Sequence, residues 1–317
     1  MSLKKIIDSV NYLPMCRADN NQAILVRHLV TSTLSEVFRY EYRKTKWASG
    51  QLLSYDTSPN PGSREVGWME LGHTGTADIV ADNANDIPTA DLEGDYNLNK
   101  AFTIATAIQF STQDVRSAQM QGTFNLASEK AAAAREAVDR KLDELVRFGD
   151  ASKGITGITA VSGSFHVTAT TGNWGTSATA AQILADFNVA YSAIFNGTQG
   201  VEEPDTMVFP SSVWARVSTL FANPTGGDTT VLVFLKEAYP NITLWTYDAG
   251  LNAAGDAGGA AAMLYSRDRN RVRGIMPMAL TPRPLEQHGL VMKMVMEQRY
   301  AGLATPRPRS ICKISNI

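Results

Sequence analysis

The sequence has little of what marks a catalytic, metal-binding or membrane protein. Its 2 cysteines, Cys16 and Cys312, stand near opposite ends of 317 residues. Two thiols so placed make neither a disulfide framework nor a zinc-ligand spacing, and they read as a reduced, buried pair. The 4 histidines, His28, His73, His166 and His288, are scattered and form no His-Glu-x-x-His pattern. No run of large aliphatic and aromatic side chains exceeds residues 231–235, whereas a bilayer-spanning helix needs about 20 apolar residues. Lys4 and Lys5 precede Ile6 and Ile7, but Asp8, Ser9, Asn11 and Pro14 break the apolar stretch a secretory signal requires, so synthesis in a cytoplasm is expected. An excess of one charge is missing too: 29 Lys and Arg stand against 31 Asp and Glu, a formal net charge of −2. Nucleic-acid binding as the main activity calls for a basic excess and is disfavoured.

Catalytic signatures are equally scarce. Gly-x-Ser-x-Gly is absent, Gly149-x-x-Ser152-x-Gly154 has the wrong spacing for a nucleophile elbow, and no phosphate loop follows a strand. Glu202, Glu203 and Asp205 gather three carboxylates, the makings of a hard-cation site or of a hydrolase, against the commoner alternative of a solvated loop. Arg267, Arg269, Arg271 and Arg273 form a basic run suited to phosphate contact or, more commonly, to ion pairing with a neighbouring surface. No catalytic, cofactor-binding or metal-ligating residue is assigned, and no cofactor is expected.

What the chain does have is enough apolar material for a large core or two smaller ones. At 34.3 kDa and 44% hydrophobic residues it is able to bury about three quarters of the surface its unfolded chain exposes. After a mixed N-terminal stretch with a short helix expected over 23–37, residues 38–92 alternate aromatic and polar side chains, with a Pro59-Asn60-Pro61-Gly62 turn between Tyr55 and Val66, Trp68 and Glu70. This reads as a long hairpin with too few aliphatic residues for a core of its own, so another copy of the chain is its expected cover, against the alternative of a disordered or locally folded surface loop. Residues 97–110 read as a half-buried strand, with Phe102, Ile104, Ile108 and Phe110 on one face. Ser111 and Asp114 then open a helix. Its stripe of Met120, Phe124, Ala127, Ala131, Ala134, Val138, Leu142 and Leu145 is apolar, while Asp143 and Arg147 form one of several i,i+4 pairs assigned to its outer faces. Residues 123–148 alone amount to about 39 Å of helix. Gly149 is placed to cap it, and Gly154-Ile155-Thr156-Gly157 reads as a turn. Residues 180–300 then alternate short helices and strands: Ser211 is expected to cap a helix, residues 229–239 to form another, and residues 250–259 to be a flexible loop. A coiled coil is the competing reading of the long helix.

Taken in order, these parts resemble the major capsid proteins of tailed bacteriophages, the Hong Kong phage-type fold shared with encapsulins. The order of arm, extended hairpin, strand, Ala-rich helix and Gly-x-x-Gly-Ile turn carries the likeness, which covers nearly the whole chain. Four pieces in the C-terminal part resemble a prophage-type capsid family: residues 203–210 (Glu203-Pro204-Asp205-Thr206-Met207-Val208-Phe209-Pro210), 231–236 (Val231-Leu232-Val233-Phe234-Leu235-Lys236), 263–268 (Met263-Leu264-Tyr265-Ser266-Arg267-Asp268) and 297–303 (Glu297-Gln298-Arg299-Tyr300-Ala301-Gly302-Leu303).

The resemblance implies an α+β fold. Its divisions are an N-terminal arm over 1–37, an extended hairpin loop over 38–96 and a peripheral domain over 97–175 with a spine helix over 112–148. An axial α/β domain spans 176–275, and C-terminal strands over 276–317 return to both domains. It implies a structural, non-enzymatic protein that self-assembles, as hexamers and pentamers, into an icosahedral head shell around double-stranded DNA. The virion is its expected location, and the host cytoplasm its expected place of assembly. Scaffold, portal and decoration or cement proteins are the further partners so implied, with non-specific contact to packaged DNA and none to a membrane. An encapsulin-like nanocompartment shell is the nearest rival, and a cytosolic hydrolase a distant one. Trp47, Tyr55, Arg64, Trp68 and Met69 are the candidate inter-subunit residues, because aromatic side chains supply the largest buried area. Residues 48–95 contain no lysine, so the lysine-to-asparagine crosslinking known in some members is not expected. With so short an arm a large removable scaffolding domain is not expected, and a separate scaffold, or none, is.

Overall fold

Strands precede helices along the described chain. The structure, a computed structural model, describes residues 42–79, 87–114, 116, 126–170, 173–223 and 229–317. Residues 45–317 make one compact unit. Cys16, His28, Met120, Phe124 and the short helix expected over 23–37 lie outside the described residues.

β1 (Tyr55–Asp56), β2 (Glu65–Gly75), β3 (Ala90–Lys100) and β4 (Phe102–Ser111) come first. β4 keeps a strict two-residue period, with Phe102, Ile104, Ile108 and Phe110 turned inward and Thr103, Ala105, Ala107 and Gln109 exposed. At Ser111 the chain turns helical: Asp114 Oδ2 accepts from the Ser111 amide and Ser111 Oγ from the Gln113 amide, each at 3.2 Å. Helix α1 (Leu126–Phe148) is the described part of the spine. Its buried stripe runs through Ala134, Val138, Leu142 and Leu145, whereas Ala127 is exposed. Small residues at Ala131 and Ala134 let Ile108, Phe110, Met292 and Met294 pack closely against the helix. Gly149 ends it with φ +74, and β5 (Gly149–Asp150) pairs with β6 (Ile155–Thr156). A Cβ at Gly157 would overlap the backbone of residues 147–149, so this return of the chain requires glycine.

Beyond β7 (Phe165–Thr168) lie α2 (Ala180–Gly197), β8 (Thr206–Pro210), α3 (Ser211–Val217), α4 (Val231–Ala238), β9 (Leu244–Asp248) and β10 (Ala261–Tyr265). Thr179 and Gln182 form a reciprocal capping box on α2. Ser211 is not the cap of α3: Pro210 occupies that position, and Ser211 Oγ instead accepts from Asn252 Nδ2 at 2.9 Å. Residues 250–259 are not simply a loop either. Short 3-10 turns cover Ala249–Ala253 and Asp256–Gly258, pinned by buried Leu251 and by Asp248 Oδ1, which accepts from the Gly250 amide.

β11 (Arg273–Ile275), β12 (Met278–Pro282), β13 (Glu286–His288), β14 (Val291–Tyr300), β15 (Leu303–Ala304) and β16 (Ile311–Ser315) close the chain. β14 is the backbone of one sheet, antiparallel to β4 over its full length, from Val291↔Ser111 to Tyr300↔Phe102, with β12 and β13 on its other edge. β16 enters a second sheet of order β7-β16-β10-β8-β9. One core, with Trp174, Phe187, Ile194 and Phe209, lies between that sheet and its helices. The other, with Trp47, Leu53, Leu142, Tyr265 and Tyr300, joins the C-terminal half of α1 to the sheets.

Two expectations about the N-terminal ribbon need correction. Among the described residues the paired hairpin begins only at Glu65, although the hairpin was expected from residue 38. Its register runs from Glu65↔Lys100 to Gly75↔Ala90, while Trp47, Leu52 and Leu53, upstream of it, are fully buried in the second core. Nor do residues 97–110 form one strand: Ala101, whose amide donates to the Arg64 carbonyl at 2.8 Å, separates ribbon strand β3 from sheet strand β4.

Candidate subunit interface

The β2–β3 ribbon is rooted in the body and then leaves it. At the root, Val66, Trp68 and Ala101 pack against Ile275, Ala301 and Ala304, and Asn99 Nδ2 donates to the Leu303 carbonyl at 2.8 Å. Above the root the register sorts side chains by face, since directly opposed residues in an antiparallel pair point the same way. Met69 opposes Tyr96, Gly67 opposes Leu98, and His73 opposes Leu92, so one face is apolar. Met69 and Leu71 are each 66% exposed, Leu92 63%, Tyr96 59% and Leu98 50%. Two strands alone hardly hold together in water, and a strip of large side chains this open marks an interaction surface. The opposite face carries Glu70, Asp95, Glu93 and Asp91. Glu70 Oε1 accepts from Trp68 Nε1 at 2.8 Å and from Asn97 Nδ2 at 2.9 Å.

The five candidate residues divide accordingly. Met69 is exposed on the apolar face, and Arg64 is exposed at the ribbon's root. Trp68 is half-buried against the chain's own body. Trp47 is a correction, because it is fully buried in its own core, stacked on Tyr265 with ring centroids 6.1 Å apart, and presents no area to a neighbour. Tyr55 is turned inward likewise: its hydroxyl donates to the Trp47 carbonyl at 2.9 Å, and burial, followed by the charges of Asp143 and Asp139, pushes its pKa upward. Residue type alone pointed to both; the segments that cover them, with Tyr265 and Asp248 beside Trp47 and Gly274 beside Tyr55, lie far away in sequence. The apolar residues that sequence reasoning missed are Leu71, Leu92, Tyr96 and Leu98. The alternation Met69, Leu71 and Leu92, Tyr96, Leu98 was the available signal.

An ionic knot beside the second core holds three distant segments. The Arg147 side chain, 2% exposed, pairs with Asp143 and donates from Nε to Asp248 Oδ2 at 2.7 Å. Trp47 closes the knot, its amide donating to Asp143 Oδ1 at 3.0 Å and its Nε1 to Asp248 Oδ2 at 2.8 Å. The Asp143–Arg147 pair assigned to the outer surface of α1 is thus buried, because Asp248 and Trp47 cover it. Burial, reinforced by nearby Asp248, raises the Asp143 pKa against the opposing pull of Arg147 and the Trp47 amide.

The clusters flagged for other chemistry are engaged structurally. Glu202 pairs with Arg271 and, at 2.8 Å, with Arg307, while Asp205 Oδ1 accepts from the Arg267 amide and from Thr206 Oγ1. Arg269 and Arg273 both reach Asp56, at 2.7 and 3.4 Å. Ser315, His166 and Asp256 do converge, but one ring nitrogen, His166 Nε2, contacts both Ser315 Oγ at 2.7 Å and Asp256 Oδ2 at 3.1 Å. A proton relay from serine to carboxylate needs the two different ring nitrogens. Cys312 is buried and free, its thiol pushed up to about 12 by burial. No described helix is long and apolar enough to cross a membrane.

A family model for the major capsid protein matches residues 75–317. The chain belongs to the major capsid protein family. Among solved structures, the capsid of Myoviridae phage XM1 aligns with a TM-score of 0.79 at 20% identity, over 92% of this chain and 98% of that one. A structure from Mycobacterium phage Bobi aligns with a TM-score of 0.66 at 18% identity, over 92% and 96%. A virus-like particle from Pyrococcus furiosus aligns with a TM-score of 0.52 at 11% identity, over 84% and 90%. These likenesses are of fold: the major capsid protein has the α+β phage capsid fold. No curated protein matches the sequence. The family's role is structural, as the wall of a particle built from many copies.

Proposed function

We propose that this major capsid protein builds the icosahedral head of a tailed phage, with hexamers and pentamers enclosing double-stranded DNA. The observation that carries the reading is the ribbon: a family member projects a two-stranded hairpin whose apolar face is open among the described residues. A neighbouring copy is the surface always present at the required stoichiometry, and repetition of a modest head-to-tail contact around a closed shell makes the whole stable. Scaffold, portal and decoration proteins and the packaged DNA complete the expected set of partners, and the virion is the place of action. An encapsulin-like shell has the same architecture and differs in cargo. Negative-stain microscopy of purified particles, followed by nuclease treatment and phenol extraction, separates the two. Closed shells from infected or induced cells should yield nuclease-protected DNA; shells holding only a protein cargo would overturn the phage-head reading.

A further inference from the structure

We infer that residues 249–260 are a strap over the buried Arg147 knot, fastened by a clasp of Asp256 on His166, Lys313 and Ser315 that tightens as His166 takes up a proton. The strap joins β9 to β10, and nine of its twelve residues are glycine or alanine. Its first half lies on the knot. Asp248, which holds Arg147 through Oδ2, accepts from the Gly250 amide through Oδ1 at 3.0 Å, and a Cβ at Gly250 would overlap the guanidinium. This close approach of glycine backbone helps leave the Arg147 side chain only 2% exposed. The second half has little apolar material to hold it: Ala254 is buried, but residues 255, 258 and 259 are glycine. Asp256, the only charged residue of the strap, fastens it. Its Oδ2 accepts from Ser315 Oγ at 2.8 Å and lies 3.1 Å from His166 Nε2, while its Oδ1 lies 3.3 Å from Lys313 Nζ. One carboxylate thus gathers donors from the neighbouring strands β7 and β16. Among the described residues, the charged groups beside His166 are Asp256 and Lys313, its register partner on β16. The Ser315 hydroxyl foremost, with Lys313 and His166, holds the Asp256 carboxyl below its ordinary range, so it stays an anion while an imidazole titrates. A proton on His166 Nε2 faces both Ser315 Oγ and Asp256 Oδ2, and the positive ring adds charge attraction to that contact. The clasp is therefore strongest at acid pH and slackens as His166 loses its charge.

Hydrogen–deuterium exchange of the full-length protein reads both the strap and the knot beneath it. With intrinsic exchange rates divided out, the amides of residues 249–260 should be about threefold better protected at about pH 5.5 than at about pH 8, a modest gain because His166 is 45% and Asp256 54% exposed. His166→Gln should abolish that pH difference. Asp256→Asn should lower protection of the strap at both pH values, and of the Trp47 amide by the same factor, because that amide donates to Asp143 inside the knot and exchanges only once the strap has opened. Protection of β14 should stay at the wild-type level in both variants. No pH difference in the wild type, a difference that survives in His166→Gln, a Trp47 amide indifferent to Asp256→Asn, or a fall in β14 protection with either variant would overturn the strap.

Discussion

Arg147 shows how much of this subunit rests on single side chains. Two aspartates, a tryptophan amide and an indole converge on or around it out of contact with water. Arg147→Met leaves Asp143 and Asp248 buried without their cation, and should cost the subunit about 3–5 kcal/mol, read by denaturant unfolding. The pH dependence has a definite sign. Asp143 titrates above the ordinary value of 3.8 because burial opposes its charge, so the folded state holds this proton more readily than the unfolded chain does. Its contribution therefore favours folding at acid pH and is lost as pH rises through the folded value. Relative to wild type, Asp143→Asn should show its largest deficit at acid pH, with the deficit shrinking toward neutrality; a deficit growing over that range would contradict the assignment. Asp56 runs the other way. Burial alone would raise it, but the Ser58 hydroxyl and amide, Arg269 and Arg273 together hold it low, so its contribution is present at neutral pH and lost on acidification.

At the scale of elements, the ribbon separates rooting from docking. Met69→Ser with Leu71→Ser removes apolar area from the open face only, so the subunit's unfolding midpoint should hold while the concentration needed for assembly rises at least tenfold, at about 1.5–3 kcal/mol per buried side chain. Trp68→Ala acts at the root and should loosen the ribbon from Ile275 and Ala301 before it touches any neighbour. Elements with a sustained local period were legible in the sequence: the alternation in β4, the stripe of α1 and the Gly149 cap. Trp47, Leu52 and Leu53 were not. Their burial depends on Asp143, Asp248 and Tyr265, 90 or more positions away, and nothing local distinguishes them from a ribbon strand. The buried Asp143–Arg147 pair has the spacing of any exposed helical ion pair, so only the tertiary fold reveals it. The acidity of residues 65–99, with no lysine or arginine among them, stands in the composition, but only the strand register puts Glu70, Asp91, Glu93 and Asp95 on one face.

For the whole molecule, the charge and apolar asymmetries of the ribbon make the isolated subunit an incomplete object. Because residues 48–95 hold no lysine, copies should associate without covalent bonds from this loop. Heating particles in denaturant should return one band at the mass of the monomer, and a ladder of multiples would refute this. The central claim, that the apolar face of the ribbon is sheltered by a sister copy, is tested most directly by a cryo-electron microscopy reconstruction of the assembled particle. Met69, Leu71 and Tyr96 are expected within van der Waals distance of another subunit. A reconstruction with that face open to solvent, or folded back on its own body, would contradict the account.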